Sequence, residues 1–246
     1  MTYCLAVRLN AGMVFASDTR TTAGIDQVSA YRKMHTFVWE GERMFTLLSA
    51  GNLATTQSVV KQIELDNESA GEHVSLGTVE HFYQAAEYVG EINARIQQRH
   101  EGMAQQSVNF EASFILGGQI SGQPQELLLI YPQGNFIEVS TESPFLQIGE
   151  TKYGKPILDR FLDAGVSLED AARCALVSID STIRANLSVG PPVDLLMYEK
   201  DSMAVQRQMR FKANTPYYAS LRKNWIEGLK GVFDSLPRFE WEKAGP

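Results

Sequence analysis

Thr2 is the residue of this chain that could supply both an attacking oxygen and a proton acceptor. A threonine hydroxyl is a poor nucleophile near neutral pH, but a free α-amine, with a pKa of about 8, is partly neutral there and can take the proton of its own residue's hydroxyl. That chemistry needs Met1 to be removed, a step that the small Thr2 side chain favours. Two charged positions follow, Asp18 with Arg20 beside it, and Lys33, whose alternation with His35 and Phe37 predicts an inward-facing lysine on one face of a sheet. Ser49-Ala50-Gly51 then forms a small-residue turn ahead of a helical pattern, and a glycine there allows a substrate close to the backbone.

Other chemistry fits less well. His35, His73, His81 and His100 show no helical i, i+4 pairing with one another and form no His-Glu-x-x-His pattern, so they are expected at the surface or in packing. Two cysteines, Cys4 and Cys174, are too few for a disulfide scaffold or a paired-cysteine zinc site, and Cys4 is expected as a small buried hydrophobe. Gly117-Gly118 is followed by no Lys-Ser or Lys-Thr and so is no phosphate loop. No metal or organic cofactor is implied.

The 246 residues fit one large domain, with 44% hydrophobic and 21% charged residues and no low-complexity stretch. A net charge of -7 and no dense run of Lys and Arg argue against nucleic-acid binding. Neither a signal-peptide pattern at Met1 to Asn10 nor a window of about 18 apolar residues is found, so no membrane span is expected, and the scarcity of cysteine fits a cytoplasmic, reducing home.

The elements that must position these residues begin with strands. Leu5, Val7 and Leu9 alternate, Asn10-Ala11-Gly12 turns, and Met13 to Ala16 resumes an extended run, which reads as a hairpin. A loop containing Gly24, an extended segment from Arg32 to Trp39 and a strand from Met44 to Leu48 follow. Leu53 through Leu65 reads as a helix, and a second one is capped by Thr78 and carries Val79, Phe82, Ala86, Val89, Ile92 and Ile96 on one face. Strands return at Ala112 to Ile120, Glu126 to Tyr131 and Asn135 to Val139, then helices near Thr151 to Ala164 and Leu168 to Ala185, the latter behind Ser167. Val193 to Tyr198 and Ala204 to Phe211 close the strand set, and a last helix runs near Pro216 to Leu236. The order predicts an α+β fold: one domain over 1–246, in which two antiparallel sheets stack between helical layers, with a helical extension at about 214–246.

The stretch Phe15 to Gly24, Phe-Ala-Ser-Asp-Thr-Arg-Thr-Thr-Ala-Gly, resembles the Asp-x-Arg-x-Thr-x-Gly segment of proteasome β subunits and of the bacterial protease HslV. Thr2, Lys33 and Ser49-Ala50-Gly51 stand at or near that family's spacing, and the beginning Thr2-Tyr3-Cys4 with the long region beyond Phe211 looks most like the Anbu branch. The resemblance implies a four-layer αββα sandwich of the N-terminal nucleophile hydrolase type, acting as a threonine peptidase inside a large homo-oligomer.

It also assigns roles. Thr2 is the nucleophile, Lys33 a fixed positive charge beside its hydroxyl, Asp18 the group that holds Lys33, and Gly51 the backbone N–H donor to an oxyanion. Thr21, Thr22, Ser49 and Leu53 are expected around a modest, neutral substrate pocket. Where the family has Ser and Asp near the amine, this chain has Glu150 and Asn186, with Ser188 as a candidate substitute. The same resemblance leaves room for an ATP-dependent feeder, for amide chemistry on a non-peptide substrate, and for a silent shell subunit. The silent type usually begins with a helical extension, whereas the strand pattern here begins at once.

Overall fold

The computed structural model describes residues 2–23, 27–69, 74–102 and 108–243. Met1, the loop at Gly24 and His73 lie outside the described residues, as does the side chain of Thr22. Six strands open the chain: β1 (Tyr3–Leu9), β2 (Gly12–Asp18), β3 (Arg20–Ala23), β4 (Gln27–Ala30), β5 (Met34–Trp39) and β6 (Arg43–Gly51). Helices α1 (Leu53–Glu68) and α2 (Phe82–Glu101) follow, then β7 (Ala112–Ile120), β8 (Glu126–Ile130), β9 (Phe136–Glu138) and β10 (Phe145–Gly149). The remainder is α3 (Lys155–Phe161), α4 (Leu168–Ala185), β11 (Val193–Glu199), β12 (Arg207–Phe211), α5 (Pro216–Asp234) and α6 (Glu240–Lys243).

Two five-stranded antiparallel sheets form, in the orders β10-β1-β2-β11-β12 and β5-β6-β7-β8-β9, with β3 and β4 as a separate hairpin. Strand alternation explains how each sheet is covered on both faces. In β1, Tyr3, Leu5 and Val7 pack against helical residues such as Leu158, Leu176 and Ile179. Cys4 and Ala6, on the opposite face, join Phe15, Met44, Leu48 and Ile115 in a cluster built from both sheets. The outer face of the second sheet, through Phe45, Leu47 and Phe114, meets Val59, Ile63 and Val89 of α1 and α2. The layers are therefore helix, sheet, sheet, helix. Phe15, Phe45 and Phe114 are each fully buried, and such a side chain contributes about 1.5–3 kcal/mol by leaving water.

Some boundaries differ from those the sequence predicts. The second helix starts at Phe82, because the Gln84 side chain accepts hydrogen bonds from the backbone N–H groups of Glu80 and His81 and closes the helix there, one turn after Thr78. α3 is shorter than the pattern from Thr151 to Ala164, ending where Leu162 turns extended. β5 begins at Met34, so Lys33 stands just ahead of the strand and alternation does not set its direction. The β3–β4 hairpin and β10 are additions to the sequence reading. The carboxyl-terminal extension is α5 and α6, and α5 buries only Tyr218. No described helix is long and apolar enough to cross a membrane.

Candidate active site

Thr2 precedes β1 at the point where β10 ends beside it. The Thr2 carbonyl accepts a hydrogen bond from the Glu150 N–H at 2.7 Å. Gly149, paired with Tyr3 and held at φ +85°, makes that approach possible, since a Cβ there would lie 1.9 Å from the Thr2 oxygen. On the other side the Tyr3 N–H donates to Oδ1 of Asp18 at 3.0 Å. The Tyr3 ring is fully buried, and its hydroxyl lies 2.7 Å from the Ser178 hydroxyl and accepts from Gln147. Main chain and side chain both fix the residue that follows Thr2.

Asp18 ends β2 and is inaccessible to solvent. Its Oδ1 also accepts from Lys33 Nζ at 2.7 Å, and its Oδ2 accepts from the Gly190 N–H at 3.1 Å. Lys33 donates again to the Arg20 carbonyl at 2.6 Å and is itself buried. Burial pushes the Asp18 carboxyl above the usual carboxylate range, and Lys33 with the two backbone donors offsets this only in part. The lysine is thus a fixed cation on a hydrogen-bonded carboxylate.

Gly51 closes β6 with φ +119°, and a Cβ there would fall 2.3 Å from the Glu111 carbonyl oxygen, so β7 approaches too closely for any other residue. Asn52 next to it caps α1, its side chain accepting from the Thr55 N–H at 3.2 Å. The positive end of the α1 dipole therefore lies beside Gly51. A cavity of about 140 Å³ collects Thr2, Lys33 and Gly51 together with Thr21, Ser49 and Leu53. Ala50, Arg32 and Thr56 complete its wall. An alkoxide forming at Thr2 would meet a cation, and a carbonyl oxygen polarised near Gly51 would meet a helix amino terminus.

Asp18 lies behind that cavity as the support of Lys33. Thr22 is placed in β3, opposite Val28. Glu150 touches the site through its backbone N–H to Thr2. Asn186 caps the carboxyl end of α4 and its side chain accepts from the Ser188 N–H at 2.9 Å. Glu150, Asn186 and Ser188 are not among the residues lining the cavity. The loop that carries Asn186 and Ser188 meets the site through Gly190, whose N–H binds Asp18 and whose carbonyl accepts from Thr19 and Arg20. Gly190, the Arg20 carbonyl and the Tyr3 N–H escape sequence reasoning because they are backbone groups. Thr56 carries a usable signal, three residues after Leu53 on the same helix face.

A larger cavity of about 920 Å³ lies between α3, α4 and α5, lined by Ile157, Cys174, Tyr217 and Trp225 among others. It contains none of the residues just described. Burial pushes the thiols of Cys4 and Cys174 up, the latter to about 12, which leaves Cys4 inert close to Thr2.

Two stacked sheets between helical layers, with a threonine at the head of β1 and an Asp–Lys pair beneath it, define a subunit of the proteasome-like class. No protein-family model matches the chain, and no curated protein matches it. Among solved structures, Anbu (ancestral beta-subunit) from Yersinia bercovieri is 45% identical, with a TM-score of 0.92 over 97% of this chain and 99% of that one. The helical assembly of the Anbu complex from Pseudomonas aeruginosa shows 44% identity and a TM-score of 0.91, over 96% of this chain and 98% of that one. An Anbu Gly-1 mutant from Hyphomicrobium sp. strain MC1 gives 44% and 0.90, over 98% of this chain and 100% of that one. The chain belongs to the Anbu family.

Proposed function

We propose that this protein is an amino-terminal threonine hydrolase that cleaves peptide bonds through an acyl-enzyme on Thr2. The observation that carries this reading is the shared Asp18 oxygen, which accepts from both the Tyr3 N–H and Lys33 Nζ and so ties the nucleophile's neighbour to the cation in one network. After loss of Met1, the Thr2 amine takes the proton from its own hydroxyl as the oxygen bonds to the substrate carbonyl carbon. The oxyanion is stabilised at the Gly51 end of β6 and the amino end of α1, and losing one backbone donor of this kind costs about 10²–10³ in rate. Collapse of that intermediate breaks the C–N bond, and the leaving amine carries away the proton. Water then adds to the ester as the Thr2 amine takes its proton, and collapse of the second intermediate breaks the ester C–O bond, releasing the carboxylic acid while the amine returns that proton to the Thr2 oxygen.

The Pseudomonas aeruginosa relative is described as a helical assembly, and by that likeness this chain self-associates around its active sites. Two buried free cysteines, Cys4 and Cys174, suit a reducing cytoplasm. The test is Thr2→Ala, which removes the hydroxyl and keeps the main chain of the site, including the Thr2 carbonyl that accepts from Glu150. The variant should assemble as wild type does and lose peptide turnover, and equal turnover by the variant would remove the mechanism.

A further inference from the structure

The cavity at Thr2 has a neighbour. A second cavity of about 330 Å³ shares Arg32, Ser49 and Thr56 with it and continues along α1 to His35, Lys61 and Glu64. Arg32, Ser49 and Thr56 thus form the boundary on which the two spaces meet. Charges in the two spaces largely cancel. Lys33 is paired with Asp18 at 2.7 Å, and Lys61 with Glu64 at 3.3 Å. Burial holds the His35 imidazole below its ordinary pKa, so near neutral pH it is uncharged.

Arg32 is different. It lines both spaces and has no ion pair or side-chain hydrogen bond among the described residues, while its neighbour Lys33 is buried and anchored. Its guanidinium presents a planar set of donors suited to a carboxylate. The pocket is therefore positive rather than neutral as Thr21, Ser49 and Leu53 alone would make it. We infer that Arg32 selects substrates with an acidic side chain, glutamate or aspartate, on the residue whose carbonyl Thr2 attacks. This inference rests on the proposed threonine chemistry and adds its substrate class.

The test uses the full-length assembled protein and three peptide epoxyketones that differ only in the side chain beside the warhead, glutamate, leucine or arginine. The rate of adduct formation on Thr2 is followed by intact mass. Wild type should react about two- to fivefold faster with the glutamate probe, the range expected of one partly exposed charge pair. Arg32→Ala should bring the glutamate-to-leucine rate ratio down to about one, a ratio in which any change common to both probes cancels, and Arg32→Glu should favour the arginine probe. A merely structural role for Arg32 would slow every probe alike and would overturn the inference, as would equal or leucine-favouring rates in wild type. Reaction with the glutamate and leucine probes at equal rates leaves the Thr2 chemistry standing, whereas no adduct with any probe overturns both readings.

Discussion

Lys33 Nζ lies 2.7 Å from Asp18 Oδ1, with the two side chains 6% and 0% exposed. A pair taken so far out of water is sustained only when its remaining donors and acceptors are also met. Here the Arg20 carbonyl serves the lysine, and the N–H groups of Tyr3 and Gly190 serve the carboxylate. Removing one partner strands the other. Asp18→Ala should lower the unfolding free energy by about 3–5 kcal/mol and abolish turnover. Adding Lys33→Met should restore most of the stability and none of the activity. Guanidinium unfolding of both variants checks this, and a double variant as unstable as the single would show that the pair's charge is not what matters.

Gly149 tests the placement of Thr2. Alanine at this φ of +85° would thrust a Cβ against the Thr2 carbonyl, at 1.9 Å in the present geometry. The strain should cost about 1–3 kcal/mol of stability. The displaced nucleophile should lose about 100-fold in kcat/KM, since a shift of an ångström has that effect on an aligned reaction. Kinetics measured well below the variant's melting temperature separate the two, and unchanged kcat/KM would mean that β10 does not position Thr2.

That role of β10 illustrates what the sequence does and does not disclose. Thr2 is marked by its own chemistry, and Asp18, Lys33 and Gly51 by the resemblance of their spacing to proteasome β subunits; the cavity at Thr2 holds all of them except Asp18. β10, only five residues from Phe145 to Gly149, has too little alternation to announce itself and becomes a strand by pairing with β1. The inward turn of Lys33 comes from Asp18 across the fold rather than from the alternation with His35 and Phe37, because Lys33 precedes β5. Gly190 contributes only an N–H, which no residue pattern encodes.

Buried thiols and phenols, Tyr3 among them, weaken the fold in alkali. Burial pushes Cys174 from an ordinary 9.0 to about 12 and Tyr3 from 10.0 to about 12, and Cys4 moves in the same direction. In the unfolded chain these groups ionise at their ordinary values, whereas in the fold they keep their protons. Their contribution is therefore complete below about pH 8.5 and is lost as pH climbs toward the folded values. The urea midpoint should fall above pH 9, and less so in Cys174→Ala. A midpoint that stays level to pH 11 would contradict this.

The same burial makes Cys4 a poor competitor of Thr2. Iodoacetamide at pH 8 should leave Cys4 unmodified in the native protein and alkylate it after denaturation, as read by peptide mapping. Native alkylation of Cys4 would make it a rival nucleophile.

The most direct test is the intact mass of the purified, assembled protein before and after treatment with a peptide epoxyketone, a reagent that needs a hydroxyl and a free amine on one residue. The mass should correspond to a chain starting at Thr2 and should rise by one probe per subunit. A chain that keeps Met1 in the assembled state, with its mass unchanged by the probe, would contradict the account.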